Sequence, residues 1–241
     1  MNLLRKMVCC GLFLLVLPFA HASDSDKTVA DKLLIDKSHL VPAQILPPAP
    51  EFESIKGKAE LLDIKTILRR VTPKERELAA KDAVTKNVSF FADTIKGFDI
   101  ESLPETKALF NQVRYTEDYE AKVFKNYFMR KRPYVTDSTI VTCVAPEEGG
   151  EYASYPSGHA TMGYSMGIIL ANLIPERSSV ILDRANLYAE NRMLCGVHHR
   201  SDIIAGQVLG SLVAIQLMQS MEFQKMMQAA KQELRSVGLA L

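Results

Sequence analysis

The sequence predicts an all-α fold, a compact, bundle-like core of helices packed on helices. Three observations carry that prediction. Apolar residues recur at helical spacing, as at Leu61, Leu62, Ile64, Ile67 and Leu68. Helix start and stop signals bracket such runs, while strand-like alternation is nearly absent. Glycines at i,i+4, Gly163/Gly167 and Gly206/Gly210, mark helix faces that a neighbour can approach closely.

Composition agrees with one globular domain of ordinary size. The 241 residues are 47% hydrophobic and 24% charged, too apolar for a disordered chain and without an internal repeat. Lys and Arg number 29 against 28 Asp and Glu, so the basic excess of a nucleic-acid binder is missing and no nucleic-acid partner is expected. Four cysteines are too few for a disulfide-built scaffold. The chain lacks tryptophan, a minor argument against stacking on sugars or bases.

Taken in order, the chain opens with a targeting pattern. Arg5 and Lys6 precede an apolar run from Met7 to Ala20, and Ala20-His21-Ala22 has small residues where signal peptidase cuts. A signal peptide over 1–22 and an exported chain with one domain over 23–241 are expected. The run is shorter than the roughly 20 residues a membrane-spanning helix needs, and Cys10 follows Cys9 instead of the small residue of a lipoprotein site. Cleavage leaves Cys143 and Cys195, an even pair that an oxidising compartment should join in a disulfide.

Residues 23–57 read as an extended arm, because Val41-Pro42 and Leu46-Pro47-Pro48 suit neither a helix interior nor a central strand. A helix from Lys58 ends on Arg69-Arg70, cations suited to a carbonyl terminus. Thr72-Pro73 with Glu75 forms a capping box, opening a helix predicted to reach Lys96 before Gly97. Leu103-Pro104 starts another, predicted to stop near Arg132 because Pro133 restricts its predecessor. Residues 133–156 read as a long structured loop, a type of segment that is often functional. Helices follow over 158–173, about 176–194, and from near His198 to near Val237 with a break before its end. The runs 159–174 and 203–218 are apolar but short, and are better read as buried core than as membrane spans.

Past the signal region the chain has four histidines: His39, His159, His198 and His199. His198 and Asp202 share a helix face, where a carboxylate can fix one imidazole nitrogen and leave the other as nucleophile or base. Arg192, across the turn at Gly196, offers fixed donors that match phosphate oxygens. Alone, these are also what an ordinary helix-start pair with a surface arginine looks like. Pro156-Ser157-Gly158-His159 before an apolar run describes a helix N-terminus with free N–H groups, suited to an anion; a plain serine cap reads the same. Lys125 and Arg132-Pro133 add cations, although Arg130-Lys131-Arg132 also reads as a solvated charge run.

Together the three segments resemble the three-part signature of the type 2 phosphatidic acid phosphatase superfamily, which also contains the vanadium haloperoxidases. Lys125, six residues, Arg132-Pro133; then Pro156-Ser157-Gly158-His159; then Arg192, five residues, His198, three residues, Asp202: besides the two prolines, eight signature positions match. Within the superfamily the chain is similar to the bacterial class A non-specific acid phosphatases, exported soluble enzymes. The resemblance implies an all-helical domain with a phosphate pocket between helices and no metal or other cofactor. It implies hydrolysis of small phosphate monoesters in the periplasm, with His198 as nucleophile forming a phosphohistidine, Asp202 orienting it and His159 protonating the leaving alcohol. Lys125, Arg132, Ser157, Gly158 and Arg192 would hold the phosphoryl oxygens. The residues suit these roles, since in-line transfer needs a nucleophile, an acid and dense positive charge. Homo-oligomers are common among such proteins, so self-association is left open, with the final helix as the place to look.

The match has departures. Asn191 stands where the family usually has Ser, and Ala153 and Ala160 replace the outer Gly and Thr of the central motif. His199 replaces an aromatic; with Ile203 four residues on, it lacks a carboxylate partner at that spacing and is left out of catalysis, as a residue expected to line the pocket. Rival readings are a phosphotransferase, a vanadate-dependent haloperoxidase, a membrane lipid-phosphate hydrolase and a non-catalytic periplasmic anion-binding protein. Haloperoxidases are generally longer, membrane hydrolases carry several spanning segments, and an anion binder has no need of both His198–Asp202 and His159.

Overall fold

In the computed structural model, which describes residues 33–35 and 40–241, hydroxyl side chains open four of the long helices. The signal-peptide segment, its two cysteines, His39 and most of residues 23–39 lie outside the described residues. Ser54 accepts from the Gly57 amide and starts α1, Ile55–Arg70. Thr72 and Glu75 form both arms of the capping box that starts α2, Pro73–Val84. The third long helix, α3, runs over Pro104–Phe128. Ser157 accepts from the Ala160 amide to start α4, Gly158–Leu173. After α5, Ser178–Leu194, comes α6, Arg200–Gln219. Ser220 then caps α7, Met221–Ser236, which makes the predicted break near the C-terminus.

Two predicted helix ends are corrected. The Thr72 helix stops at Val84, not near Lys96, and a 3₁₀ turn over Val88–Phe91 follows, capped by Asn87. The early stop turns Phe90 and Phe91 into the core and leaves backbone carbonyls of the last turn free for other partners. Tyr188 donates to the Thr85 carbonyl at 2.6 Å, and His159 takes the Ala83 carbonyl. The Leu103-Pro104 helix ends at Phe128, short of Arg132, because Met129 is left-handed at φ 49°. Residues 130–132 then lie beside 150–154, with Arg132 N donating to Glu151 O at 2.8 Å and Ser154 N to Arg130 O at 3.1 Å. The 133–156 loop contains one helical turn, Pro133–Thr136, and the arm contains another, Pro42–Ile45.

Among the described residues the fold is all-helical, and α4 is its centre. Its faces are covered by α5, α6 and α3, while α7 lies along α3 and α2 along α5. Phe91, Phe124, Met166, Leu170, Tyr188 and Leu209 are fully buried where these helices meet. Each such side chain contributes roughly 1.5–3 kcal/mol of transfer free energy. The α4–α6 contact is backbone-close, as the glycine spacing anticipates. A Cβ on Gly206 would lie 2.5 Å from the Ser157 carbonyl oxygen, and one on Gly210 2.3 Å from that of Thr161. Any larger residue there would push the start of α6 away from the start of α4, where the site is built.

By length and composition α6 is also long and apolar enough to cross a membrane; half of that stretch is buried inside the protein. Cys143 and Cys195 are bonded, Cα atoms 4.6 Å apart, with Cys143 N donating to Cys195 O at 3.1 Å. The bond ties the 133–156 loop to the α5–α6 turn. Arg76 of α2 holds the same loop through the Val141 and Thr142 carbonyls at 3.0 and 2.9 Å.

Candidate active site

A cavity of about 640 Å³ opens where the end of α2, the middle of α3, the 133–156 loop, the start of α4 and the α5–α6 turn converge. Lys125, Arg132, Gly158, His159, Arg192 and His198 all line it. Three sequence segments separated by tens of residues therefore meet at one place.

His198 sits at the bottom, almost completely buried. Its Nδ1 lies 3.3 Å from Asp202 Oδ2, and its Nε2 lies 3.0 Å from Arg132 Nη1. A guanidinium only donates, so Nε2 is the acceptor and the ring proton sits on Nδ1, facing the carboxylate. Arg132 is itself fixed: Nη1 also donates to the Val197 carbonyl at 3.0 Å, and Nε to the Gly150 carbonyl at 2.9 Å. Burial, then the Arg132 charge, hold the His198 imidazole well below its ordinary pKa, with Asp202 opposing them.

Asp202 is a hub. Its Oδ2 accepts from Ser154 Oγ at 2.6 Å and from the His199 amide at 2.8 Å, besides the two imidazoles. Its Oδ1 accepts from Arg130 Nη1 at 2.6 Å. Burial works against ionisation, but hydrogen bonds from His198 and His199 and the Arg130 charge outweigh it, so the carboxyl stays well below the usual range.

Around the cavity wall stand the other cations. Arg192 is buried, and its Nε and Nη1 have no hydrogen-bond partner. Burial lowers it to about 10, with Arg132 adding to the effect against Tyr188. Lys125 is lowered to about 7, by burial first and by Arg132 next. Its Nζ would be 3.5 Å from a Cβ on Gly158, so the glycine keeps the space between the lysine and the first turn of α4 open. Ser157 Oγ accepts the cap bond from Ala160 N at 3.3 Å, and its own hydroxyl proton remains to be donated. The first bond of α4 runs from Thr161 N to Ser157 O, so the preceding amides lie ahead of the helical ladder.

His159 faces His198 from α4. Its Nε2 lies 3.0 Å from the Ala83 carbonyl, which can only accept, so Nε2 carries a proton and Nδ1 is left to the cavity. The ring stacks on Tyr188, centroids 5.6 Å apart. Burial and then Arg192 hold it well below its ordinary pKa, partly offset by the Ala83 bond.

The cavity lining also includes Arg114, Glu117 and Asp118. Glu117 is buried there, ion-paired with Arg114, and burial raises it to about 8 despite that pair. Lys86 pairs with Glu147 at the rim.

Several expectations need correcting. His199 does not line this cavity; it lines a second one, of about 570 Å³, with Arg130 and Tyr152. Nor is it without a carboxylate, because Asp202 lies three residues on and 3.3 Å from its Nδ1. Asn191 points away from the site to Asp82, 2.7 Å away, which also holds Arg184 through both oxygens. Arg130 is not part of a solvated charge run: it is nine-tenths buried between Asp202 and Glu60. Arg130 and Glu60 are site residues that the motif spacing does not reveal, since their partners are far away in sequence; Ser154 lies within the central motif, and the structure brings it to Asp202.

Comparison with known proteins finds several similar to this chain. The family model described as PAP2 superfamily matches residues 115–226, a range that holds all eight signature residues. An acid phosphatase of Zymomonas mobilis is 39% identical over 137 residues, 56% of this chain and 52% of that protein, so the matched segment spans about half its length. A non-specific acid phosphatase of Providencia stuartii is 28% identical over 243 residues, 97% of this chain and 98% of the relative. Among solved structures, a transmembrane PAP2-type phosphatidylglycerolphosphate phosphatase from Bacillus subtilis is 20% identical, with a TM-score of 0.48 over 68% of this chain and 85% of that one. The segment that carries the signature residues, 115–226, thus matches the PAP2 superfamily.

Proposed function

We propose that the protein is a metal-independent phosphoric monoester hydrolase, a class A non-specific acid phosphatase working through a phosphohistidine at His198. One observation carries the reading. Arg192 buries a guanidinium with two nitrogens unpartnered, beside Lys125 and Arg132, on a cavity whose floor presents the Nε2 lone pair of His198. Buried donors left unpaired are costly, and an oxyanion in the cavity would satisfy them.

The mechanism follows from the two tautomers. The phosphoryl group seats among Lys125, Arg132, Arg192, the Ser157 hydroxyl and the Gly158 amide, which neutralise its equatorial oxygens. His198 Nε2 attacks phosphorus as the ester P–O bond breaks, and Asp202 stabilises the ring as it gains positive character. His159, made cationic by the incoming anion, passes the Nδ1 proton to the departing alkoxide. A water, its proton taken by the same Nδ1, then attacks phosphorus; the N–P bond breaks and phosphate leaves. Three cations and a helix N-terminus supply the charge neutralisation that other phosphatases take from metals. The targeting pattern at the N-terminus supports action in the periplasm, and the even cysteine pair fits an oxidising compartment.

The test is release of p-nitrophenol from p-nitrophenyl phosphate by the purified protein across pH, with and without EDTA. Turnover that survives exhaustive chelation is expected. Loss of turnover on chelation with recovery on adding Mg²⁺ or Zn²⁺ would overturn metal independence, and no turnover at any pH would favour a non-catalytic anion-binding protein.

A further inference from the structure

We propose that Arg130 is a positioning residue for the reaction at His198: clamped between Glu60 and Asp202, it fixes the Asp202 carboxylate and sets how much of its charge the imidazole feels. The proposal rests on the reading of His198 as nucleophile.

The geometry is a relay of buried charges that runs from α1 to the site. Glu60, on α1, accepts from the Ser201 amide with Oε1 at 2.8 Å. Its Oε2 takes Arg130 Nη2 at 2.8 Å and the Ser201 hydroxyl at 3.0 Å. Arg130 Nη1 donates to Ser201 Oγ at 2.7 Å and to Asp202 Oδ1 at 2.6 Å. Glu60 and Asp202 are both buried, as is most of Arg130. Water screens such a chain little, so each charge acts strongly on the next.

Asp202 has two oxygens with divided duties. Oδ2 faces both imidazoles, whereas Oδ1 is held by Arg130. The Arg130 bond stops the carboxylate from rotating and draws its negative charge away from His198. Glu60 limits that pull by neutralising part of Arg130. Nothing in this relay touches the cavity that would hold the substrate; Arg130 lines the second cavity instead.

The groups that face His198 from the surrounding elements are Arg132 before the loop, Lys125 on α3, His159 on α4, Arg192 on α5, and His199 and Asp202 at the start of α6. None of them changes in the variants below, and neither does the ionisation of the substrate. A difference in pH profile between variant and wild type therefore isolates the relay.

The two ends of the relay predict opposite shifts. Arg130→Gln frees the full Asp202 charge to act on His198, which favours imidazolium and moves the acid limb of kcat/KM to higher pH. Glu60→Gln leaves Arg130 uncompensated, which weakens Asp202 and moves the limb to lower pH. Each shift should be about half a pH unit, attenuated from the one to three units of a directly paired charge. Arg130→Lys keeps the charge and should return the limb toward wild type, while losing kcat because one ammonium cannot hold both Asp202 and Glu60.

The experiment measures kcat/KM for p-nitrophenyl phosphate from pH 3.5 to 8 for wild type and the three variants, with thermal melts to confirm folding. Opposite displacements for Arg130→Gln and Glu60→Gln support the proposal. Limbs that stay put, or that move the same way in Arg130→Gln and Glu60→Gln, overturn it, because a purely structural loss lowers rate and melting temperature without a signed shift. Should Glu60→Gln fail to fold, Ser154→Ala substitutes: it removes a donor from Oδ2 and should move the limb upward, as Arg130→Gln does. Phosphoenzyme trapping on the wild type runs in parallel. Absence of label on His198 there sinks the nucleophile reading itself, whereas label on His198 with unmoved limbs sinks only the relay.

Discussion

Arg132 Nη1 lies 3.0 Å from Nε2 of His198, on the side of the ring opposite Asp202. That contact does two things at once. It turns the Nε2 lone pair toward Arg132 on the cavity wall, and it disfavours protonation of the very nitrogen that would attack phosphorus. A bound phosphoryl group would compete for the same guanidinium, releasing the lone pair as the oxyanion arrives. In the proposed mechanism, substrate binding would exchange this bond for one to the phosphoryl group.

Arg192 should carry much of the anion affinity, since its Nε and Nη1 are buried without partners. Two charge-assisted hydrogen bonds are worth about 3 kcal/mol or more, so Arg192→Ala should weaken competitive inhibition by vanadate or phosphate by roughly 10²-fold. Arg192→Lys should recover only part of it, for lack of the fork. Steady-state inhibition constants decide; unchanged values in both variants would remove Arg192 from the anion site.

His159→Ala should discriminate between leaving groups. General acids contribute typically about 10²–10⁴-fold. Alkyl phosphates should therefore lose roughly 10² or more in kcat, and p-nitrophenyl phosphate far less, because nitrophenolate needs no proton to depart. The slope of log kcat against leaving-group pKa is the readout. Equal losses across the series would leave His159 as a packing residue on Tyr188.

Phosphate binding should be coupled to proton uptake. Lys125 is lowered to about 7, so at pH 8 it is mostly neutral in the free protein. An anion in the cavity favours the ammonium, raises its pKa and draws a proton from solvent; at pH 5.5 the lysine is already charged and contributes none. His159, whose pKa burial and Arg192 lower, adds uptake of its own when the anion restores its charge. Calorimetry in buffers of different ionisation enthalpy should show uptake at pH 8 that falls in Lys125→Met. Equal uptake in wild type and variant would contradict the lysine's role.

The Cys143–Cys195 bond should hold the loop to the α5–α6 turn and stabilise the fold. It spans a separation of 52 residues, and removing a bridge of this kind costs about 2–4 kcal/mol. Cys143→Ser with Cys195→Ser should lower the denaturation midpoint accordingly. Two alkylatable thiols in unreduced wild-type protein would show that the bond does not form.

How much of this was legible in the sequence differs by distance along the chain. The α4 bounds follow from local signals, Ser157 before Gly158 and apolar residues through Leu173. The eight signature residues lie in three short segments, and the helices bring six of them, Lys125, Arg132, Gly158, His159, Arg192 and His198, to the wall of one cavity. The end of α2 was not legible, because Phe90, Phe91 and the partners of the Ala83 and Thr85 carbonyls are tertiary. Arg130 looked like one of three adjacent charges; its partner Glu60 is 70 residues away. An i+4 spacing from His199 reaches only Ile203, whereas the helix start presents Asp202 at i+3.

The central claim is that His198 becomes phosphorylated. Rapid-quench labelling with ³²P substrate, followed by alkaline digestion and peptide mapping, tests it most directly. The account predicts a base-stable, acid-labile label on the peptide that contains His198, formed within one turnover and absent, together with turnover, in His198→Ala. Label on Ser157, or a His198→Ala protein that still hydrolyses esters at close to the wild-type rate, would contradict it.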